Sequence, residues 1–337
     1  MKHKHPDFLY GNMSDVGKVR SENQDYYGRY EGDFGCLIIV CDGMGGYEGG
    51  AVASRLAVES IYEHFKRIGG HYDPRNELAQ ALIFAQKNIL DYVMEHPETK
   101  GMGTTAVILL IRETSYWFAN LGDSRLYLKR GGSATQLTRD HSLVQDMVDS
   151  GILTDAQAAD HPKRNIITRA LGTDNFTPDL SGPFTLNKSD VFMLCSDGLY
   201  HYFTLREMES ILDLEPQSAC EAFVEQANQQ GSDDNVTVQI VKSNIGDKAK
   251  RPAKEFRGVS WIAILGVSVL LLLAASIYLA HSVFKIIKPP VKTERSAKAT
   301  NGSSLKIETE TNEIGSEGSD STKTTHQALK KEESDAQ

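Results

Sequence analysis

The stretch CLIIVCDGMGG, Cys36 to Gly46, decides how this chain reads. Its first six residues form an apolar run of strand length, and the run ends on Asp42-Gly43. Apolar residues follow one another here without alternating with polar ones. A strand with one wet face would alternate, so a continuous run means burial on both faces, inside a layered core. The pattern recurs outward along the chain. VFMLCS (Val191 to Ser196) ends at Asp197-Gly198, SYWFANLG leads into Asp123 with RLYLKR after it, and Asp234-Asn235 precedes VTVQIV. Four carboxylates thus sit at the ends of buried strands, where one edge of the core can bring them together. Taken singly, each Asp-Gly is also an ordinary turn dipeptide. Asp197-Gly198 fits a hairpin poorly, because LYHYFTLREMESIL after it reads as a loop entering a helix.

Carboxylates gathered at the rim of a low-dielectric core repel, and must either hold protons or find positive charge. No histidine or cysteine cluster accompanies them, so the donor set would be oxygen alone. That set suits Mg²⁺ or Mn²⁺ rather than zinc or copper. Gly43, directly after Asp42, would let its backbone carbonyl come close to an ion. The glycine-rich GMGGYEGG (Gly43 to Gly50) precedes the amphipathic AVASRLAVESIYEHF, yet it lacks the Gly-Lys-Ser/Thr of a phosphate loop. Glu48 also stands where a dinucleotide fingerprint needs its third glycine, which disfavours nucleotide binding.

The chain has 337 residues, a formal net charge of -9 and 40% apolar residues. Nucleic-acid binding is disfavoured, since it calls for a concentrated basic excess. Cys36, Cys41, Cys195 and Cys220 form no C-x-x-C pair and read as buried, reduced thiols. Residues 8–245 have the composition of one globular domain. Residues 246–257 are a basic linker, and 258–284 contain no Asp, Glu, Lys or Arg. About twenty apolar residues at ~1.5 Å each span a bilayer core of ~30 Å, so 258–284 is expected to be a transmembrane helix. Residues 285–337 are rich in Ser, Thr, Glu and Lys, and are expected to be a disordered polar tail. Basic residues flank the apolar run on both sides, so charge does not orient it. The lack of an N-terminal signal segment and the reduced thiols lead one to expect the globular domain in the cytoplasm, with the tail on the far side of the membrane.

Eight motifs stand in order: SDVGKVRSENQD (Ser14 to Asp25), VCDGMGG, GMGTTAV (Gly101 to Val107), NLGDSRLY (Asn120 to Tyr127), LTRDHS (Leu137 to Ser142), RALG (Arg169 to Gly172), LCSDGLY (Leu194 to Tyr200) and SDDNVTV (Ser232 to Val238). In this order they resemble the type 2C, metal-dependent (PPM) serine/threonine protein phosphatases, above all the bacterial ones. The resemblance covers roughly Met13 to Val241. It implies an α+β fold, a four-layer αββα sandwich of two antiparallel sheets flanked by helices, here with one transmembrane helix added. It also implies hydrolysis of phosphoserine and phosphothreonine on proteins by a metal-activated water, with two Mn²⁺ or Mg²⁺ ions. By the same resemblance Asp42 bridges the ions, the carbonyl of Gly43 binds one, and Asp197 and Asp234 hold the other. Asp25 acts from the outer shell, Asp123 with Asp197 matches a third metal position of bacterial members, and Arg20 grips the substrate phosphate. Two residues depart from the pattern. Gln24 replaces a frequent glutamate and is not counted as a ligand. Met44 stands where eukaryotic members carry a histidine assigned as general acid. Residues 143–170 correspond to the variable flap, in which His161 is read as structural. The implied partners are phosphorylated proteins and a serine/threonine kinase near the same membrane. Two other readings stay open: a catalytically silent phosphoprotein-binding regulator, and a sensor that reports across the membrane through its tail.

Overall fold

The computed structural model describes residues 8–69 and 71–244, and of residues 46–48 the backbone alone. The expected linker, transmembrane helix and tail at 246–257, 258–284 and 285–337 lie outside the described residues. Among the described residues, no helix is long and apolar enough to cross a membrane. In chain order the elements are β1 (Phe8–Asp15), β2 (Asp25–Gly32), β3 (Gly35–Met44), α1 (Gly46–Arg67), α2 (Pro74–Glu95), β4 (Gly103–Thr104), β5 (Ala106–Arg112), β6 (Ser115–Leu121), β7 (Arg125–Arg130), β8 (Ser133–Gln136), α3 (Leu143–Asp149), α4 (Asp155–Ala159), β9 (Asp179–Thr185), β10 (Val191–Cys195), α5 (Asp197–Tyr200), α6 (Leu205–Ile211), α7 (Pro216–Gln229) and β11 (Val236–Ser243).

These strands form two sheets. One has the order β1-β11-β10-β7-β8 and the other β2-β3-β5-β6-β9, with β4 paired to β3. All pairings are antiparallel. The period-two geometry of β3 explains its unbroken apolar run. Cys36, Ile38 and Val40 pack against Leu126, Phe192 and Leu194 of the facing sheet. Leu37, Ile39 and Cys41 point the other way, into α1 and α2, against Ala57, Ile61, Leu82 and Ile89. Strand β10 is sandwiched in the same manner. Phe192 and Leu194 face the inter-sheet layer, while Met193 and Cys195 meet Phe223 and Val224 of α7. The result is helices, sheet, sheet, helices, as the sequence leads one to expect. All four cysteines are buried and free.

Between the sheets sits a polar side chain, Gln239, only 2% exposed. Its Nε2 donates to the carbonyls of Ile39 (2.7 Å) and Gly28 (3.2 Å), so a side chain of one sheet is bonded to the backbone of the other. A buried amide is tolerable only when bonded this way.

The glycine-rich stretch differs from its sequence reading. Helix α1 begins at Gly46, so Gly46, Gly49 and Gly50 belong to its first turns rather than to a loop before it. The reason is crowding. A Cβ on Gly50 would lie 2.5 Å from Oε1 of Gln24, and one on Gly49 would lie 2.9 Å from Cβ of Met102. Glycine here lets the start of α1 press against its neighbours.

Truncating Phe192 opens the layer shared by both sheets. Phe192→Ala is expected to destabilise the domain by about 3–5 kcal/mol, read as a fall in the urea midpoint. A midpoint close to wild type would mean that the inter-sheet layer is not the core.

Candidate active site

The strand-end aspartates fall at one end of the sandwich because the sheets are antiparallel. Strands β3, β6 and β10 arrive there, and β2, β7 and β11 depart from it. Asp42 and Asp25 are direct cross-strand partners in β3 and β2. Like charges placed opposite one another are destabilising in a sheet. Asp197 opens α5 directly after β10, Asp234 stands two residues before β11, and Asp123 lies in the turn from β6 to β7.

A cleft of about 590 Å³ opens at this end, and Arg20, Gln24, Asp42, Gly43, Asp197 and Asp234 are among the residues that line it. Arg20 is half-exposed and donates from Nη2 to Oδ2 of Asp234 at 2.8 Å. Asp25 and Asp123 are not on the cleft wall. They sit behind it, 6% and 3% exposed. Asp25 accepts a bond from the Ser196 hydroxyl at 2.7 Å. Met44 lines the cleft, where it offers no titratable proton. His161 lies in the flap, and its Nδ1 accepts from the backbone N–H of Lys163.

Electrostatics at this end are unfavourable for charge. Burial, then the charges of Asp25, Asp197, Asp123 and Asp234, hold the Asp42 carboxyl well above the usual range. Burial, followed by Asp197 and Asp140, does the same to Asp123. Burial pushes Asp25 up to about 7. Asp197 is pushed up to about 6 by burial and Asp234, against the lowering effect of a hydrogen bond with Asp42. One carboxylate oxygen each of Asp25, Asp123 and Asp197 (Oδ1 in every case) is buried with no hydrogen-bond partner among the described residues. Leaving such an acceptor unmet costs about 1–3 kcal/mol, more when it is charged.

A hard divalent cation fits this arrangement: oxygen donors only, negative charge in excess, and acceptors with free lone pairs. Among the described residues, no three acidic, histidine or cysteine side chains close around one point as a complete cage. Mg²⁺ does not need one, since it ordinarily takes one or two carboxylates and keeps several waters.

Several residues without an assigned role in the sequence reading build the site. Asn235 is the main one, 4% exposed. Its Oδ1 accepts from the Gln24 N–H at 2.8 Å, and its Nδ2 donates to the carbonyls of Val16 and Glu22, both at 2.9 Å. One amide thereby fixes the Arg20 loop against Asp234. Thr105 receives the N–H of Asp42 on its hydroxyl at 2.9 Å, and Thr104 donates to the Asp42 carbonyl at 2.8 Å. His141 is buried, and its Nδ1 accepts from the Gly122 N–H at 3.2 Å, which leaves the proton on Nε2 facing Asp179 at 3.1 Å. It holds the turn that carries Asp123. Asparagine beside aspartate, or a threonine pair, is too common for sequence alone to single out.

Glycine roles also sharpen. Gly43 is required because a Cβ there would lie 2.1 Å from the Gly50 carbonyl oxygen. Gly198 is pressed equally close to the Asn235 carbonyl, and Gly17, at φ +75°, to that of Asp234. These contacts weld the loops bearing Arg20, Asp42, Asp197 and Asp234 into one unit.

Comparison with known proteins gives a consistent picture. The family profile described as Protein phosphatase 2C matches residues 18–243. A serine/threonine phosphatase stp of Listeria innocua is 34% identical over 243 residues, covering 70% of this chain and 96% of the relative. The crystal structure of the Mycobacterium tuberculosis serine/threonine phosphatase PstP/Ppp is 33% identical with a TM-score of 0.66, covering 70% of this chain and 99% of that one. A structure of the PstP catalytic domain in complex with two manganese ions is 32% identical with a TM-score of 0.64, covering 70% and 98%.

Two outcomes are expected. Asn235→Ala removes three bonds worth about 1 kcal/mol each, so urea stability should fall by a few kcal/mol; an unchanged midpoint would deny Asn235 its anchoring role. The second concerns pH. Carboxyls raised to about 7 (Asp25) and about 6 (Asp197) favour the folded state while protonated. Without divalent metal, that contribution is complete below the ordinary carboxyl range and is lost as pH rises through 6 and 7. In EDTA, Tm is expected to fall across this window and Mn²⁺ to restore it increasingly at the upper end. A Tm equally insensitive to pH and to Mn²⁺ would contradict the electrostatics described here.

Proposed function

The chain belongs to the protein phosphatase 2C family and is a protein-serine/threonine phosphatase, and from that premise we propose how its own residues do the work. Asp42, Asp197 and Asp234, with the carbonyl of Gly43, hold two divalent ions, Mn²⁺ or Mg²⁺. Asp123 with Asp197 supplies a third position, and Asp25 supports the pair from behind. The carrying observation is the set of buried carboxylates, some with unmet oxygens, beside a cleft that also contains Arg20. The two-manganese PstP relative supports the choice of ion. Bound ions of this kind supply Lewis acidity and make water a nucleophile near neutral pH.

The protein's own groups do the rest. Arg20 receives the phosphoryl oxygens. Its guanidinium has five N–H donors, so it can grip phosphate while one of them stays on Asp234. Asn235 and Gly17 keep that arginine in register with the carboxylates, which is the positioning an in-line displacement demands. No cysteine is required, and Cys195 lies fully buried. Met44 has no proton to give, so the proton for the departing serine or threonine oxygen comes from water or from another group.

We propose further that the apolar run at 258–284 anchors the enzyme as a single-pass membrane protein, with the catalytic domain in the cytoplasm and the tail on the far side. Its support is the run's length and freedom from charge. A serine/threonine kinase must supply the phosphoproteins that this enzyme consumes, which makes such a kinase and its targets the expected partners.

The test is release of phosphate from a phosphothreonine peptide by the full chain, with Mn²⁺ and then with EDTA. Turnover is expected with metal and not with chelator. Asp42→Asn and Asp197→Asn should each cost at least ~10³-fold, the loss of several kcal/mol of transition-state stabilisation. Cys195→Ser should keep metal-dependent turnover. Near-normal activity of Asp42→Asn would end this assignment, and peptide binding without release would favour a silent binding module. A chain ending at Asp247 should leave the membrane fraction with turnover unchanged. Its retention there would contradict the anchor.

A further inference from the structure

The cleft mouth carries apolar side chains that phosphoryl chemistry does not use. Val19, beside Arg20, is 69% exposed. Ile167, half-buried on the flap, lines the same cavity. The exposed Val19 forgoes up to about 1.5–3 kcal/mol of burial, and Ile167 has apolar surface left on the cleft wall.

Neither wall is loose. The Val19 loop is clamped on both sides, at Val16 and Glu22, by the Asn235 amide. Ile167 forms a backbone bridge with Ser142. Its neighbours are tied as well, since the Leu143 N–H donates to the Ile166 carbonyl and the Thr168 N–H to that of His141, both at 2.8 Å. The two side chains are therefore presented by fixed backbone, which lowers the entropy cost of receiving a ligand. Charge narrows the choice of ligand. Among the described residues that line the cleft, Arg20 is the one cation, facing Glu22, Asp42, Asp197 and Asp234. With phosphate on Arg20 and ions on the aspartates, Glu22 remains as uncompensated negative charge.

We infer that Val19 and Ile167 form a specificity lip that receives an aliphatic side chain adjoining the phosphorylated serine or threonine, and that Glu22 turns acidic neighbours away. This rests on the phosphatase reading of the cleft and names the class of phosphopeptide that the cleft selects.

The experiment uses the full chain in detergent with Mn²⁺ and three phosphothreonine peptides, identical except for leucine, alanine or aspartate on both sides of the phosphothreonine. The expected order of kcat/KM is leucine, alanine, aspartate, with leucine about tenfold above alanine, as a filled apolar contact gives. Val19→Ser and Ile167→Ser should each shrink the leucine-to-alanine ratio towards unity, and Glu22→Gln should raise the aspartate peptide towards alanine. Equal kcat/KM for the leucine and alanine peptides, or a ratio unchanged in both serine variants, overturns the lip. Release from none of the peptides by the wild type would instead overturn the phosphatase reading beneath it.

Discussion

Mutual repulsion among buried aspartates is the constraint around which one end of this molecule is built. Asp42 and Asp25 face each other across a sheet, and Asp197, Asp123 and Asp234 bring further negative charge to bear on Asp42. Burial makes ionisation costly for Asp25, Asp42, Asp123 and Asp197, and the neighbouring charges add to that cost. Such a cluster would be a defect in a protein whose only task was to fold. A divalent cation held at this end would supply the positive charge that the cluster lacks.

Holding the cluster together requires rigidity, and the fold supplies it in layers. Strands β3 and β10 are buried on both faces, so their ends have little freedom to move away from each other. Glycines 17, 43 and 198 let the intervening loops come into backbone contact where any side chain would separate them. Asn235 then ties the Arg20 loop to the strand that follows Asp234. The energy of the three hydrophobic layers is thus spent, in part, on keeping like charges close.

Much of this was legible in the sequence. Unbroken apolar runs ending on Asp42 and Asp197 signal two-sided burial, and two-sided burial in short strands means stacked layers. The placement of Asp123 and Asp234 beside other such runs points to the same end of the core. The anchoring roles of Asn235, Thr105 and His141 were not legible, because each depends on a partner far along the chain: Asn235 bonds residues more than two hundred positions away. Nor did sequence show that Gly46, Gly49 and Gly50 belong to α1, since glycine disfavours helix by propensity and close packing overrides that preference here. The family resemblance sets Asp25 in the outer shell, but nothing in the sequence places Asp123 behind the cleft wall that Asp42, Asp197 and Asp234 line, a distinction that packing creates.

The central claim, that these aspartates exist to hold ions, is tested most directly by titrating Mn²⁺ into the full chain at neutral pH and following the paramagnetic resonance of free Mn²⁺. The account predicts that the free-ion signal stays suppressed until at least two equivalents have been added, and that Asp42→Asn abolishes the suppression. A signal that grows from the first addition, as in buffer alone, would contradict it.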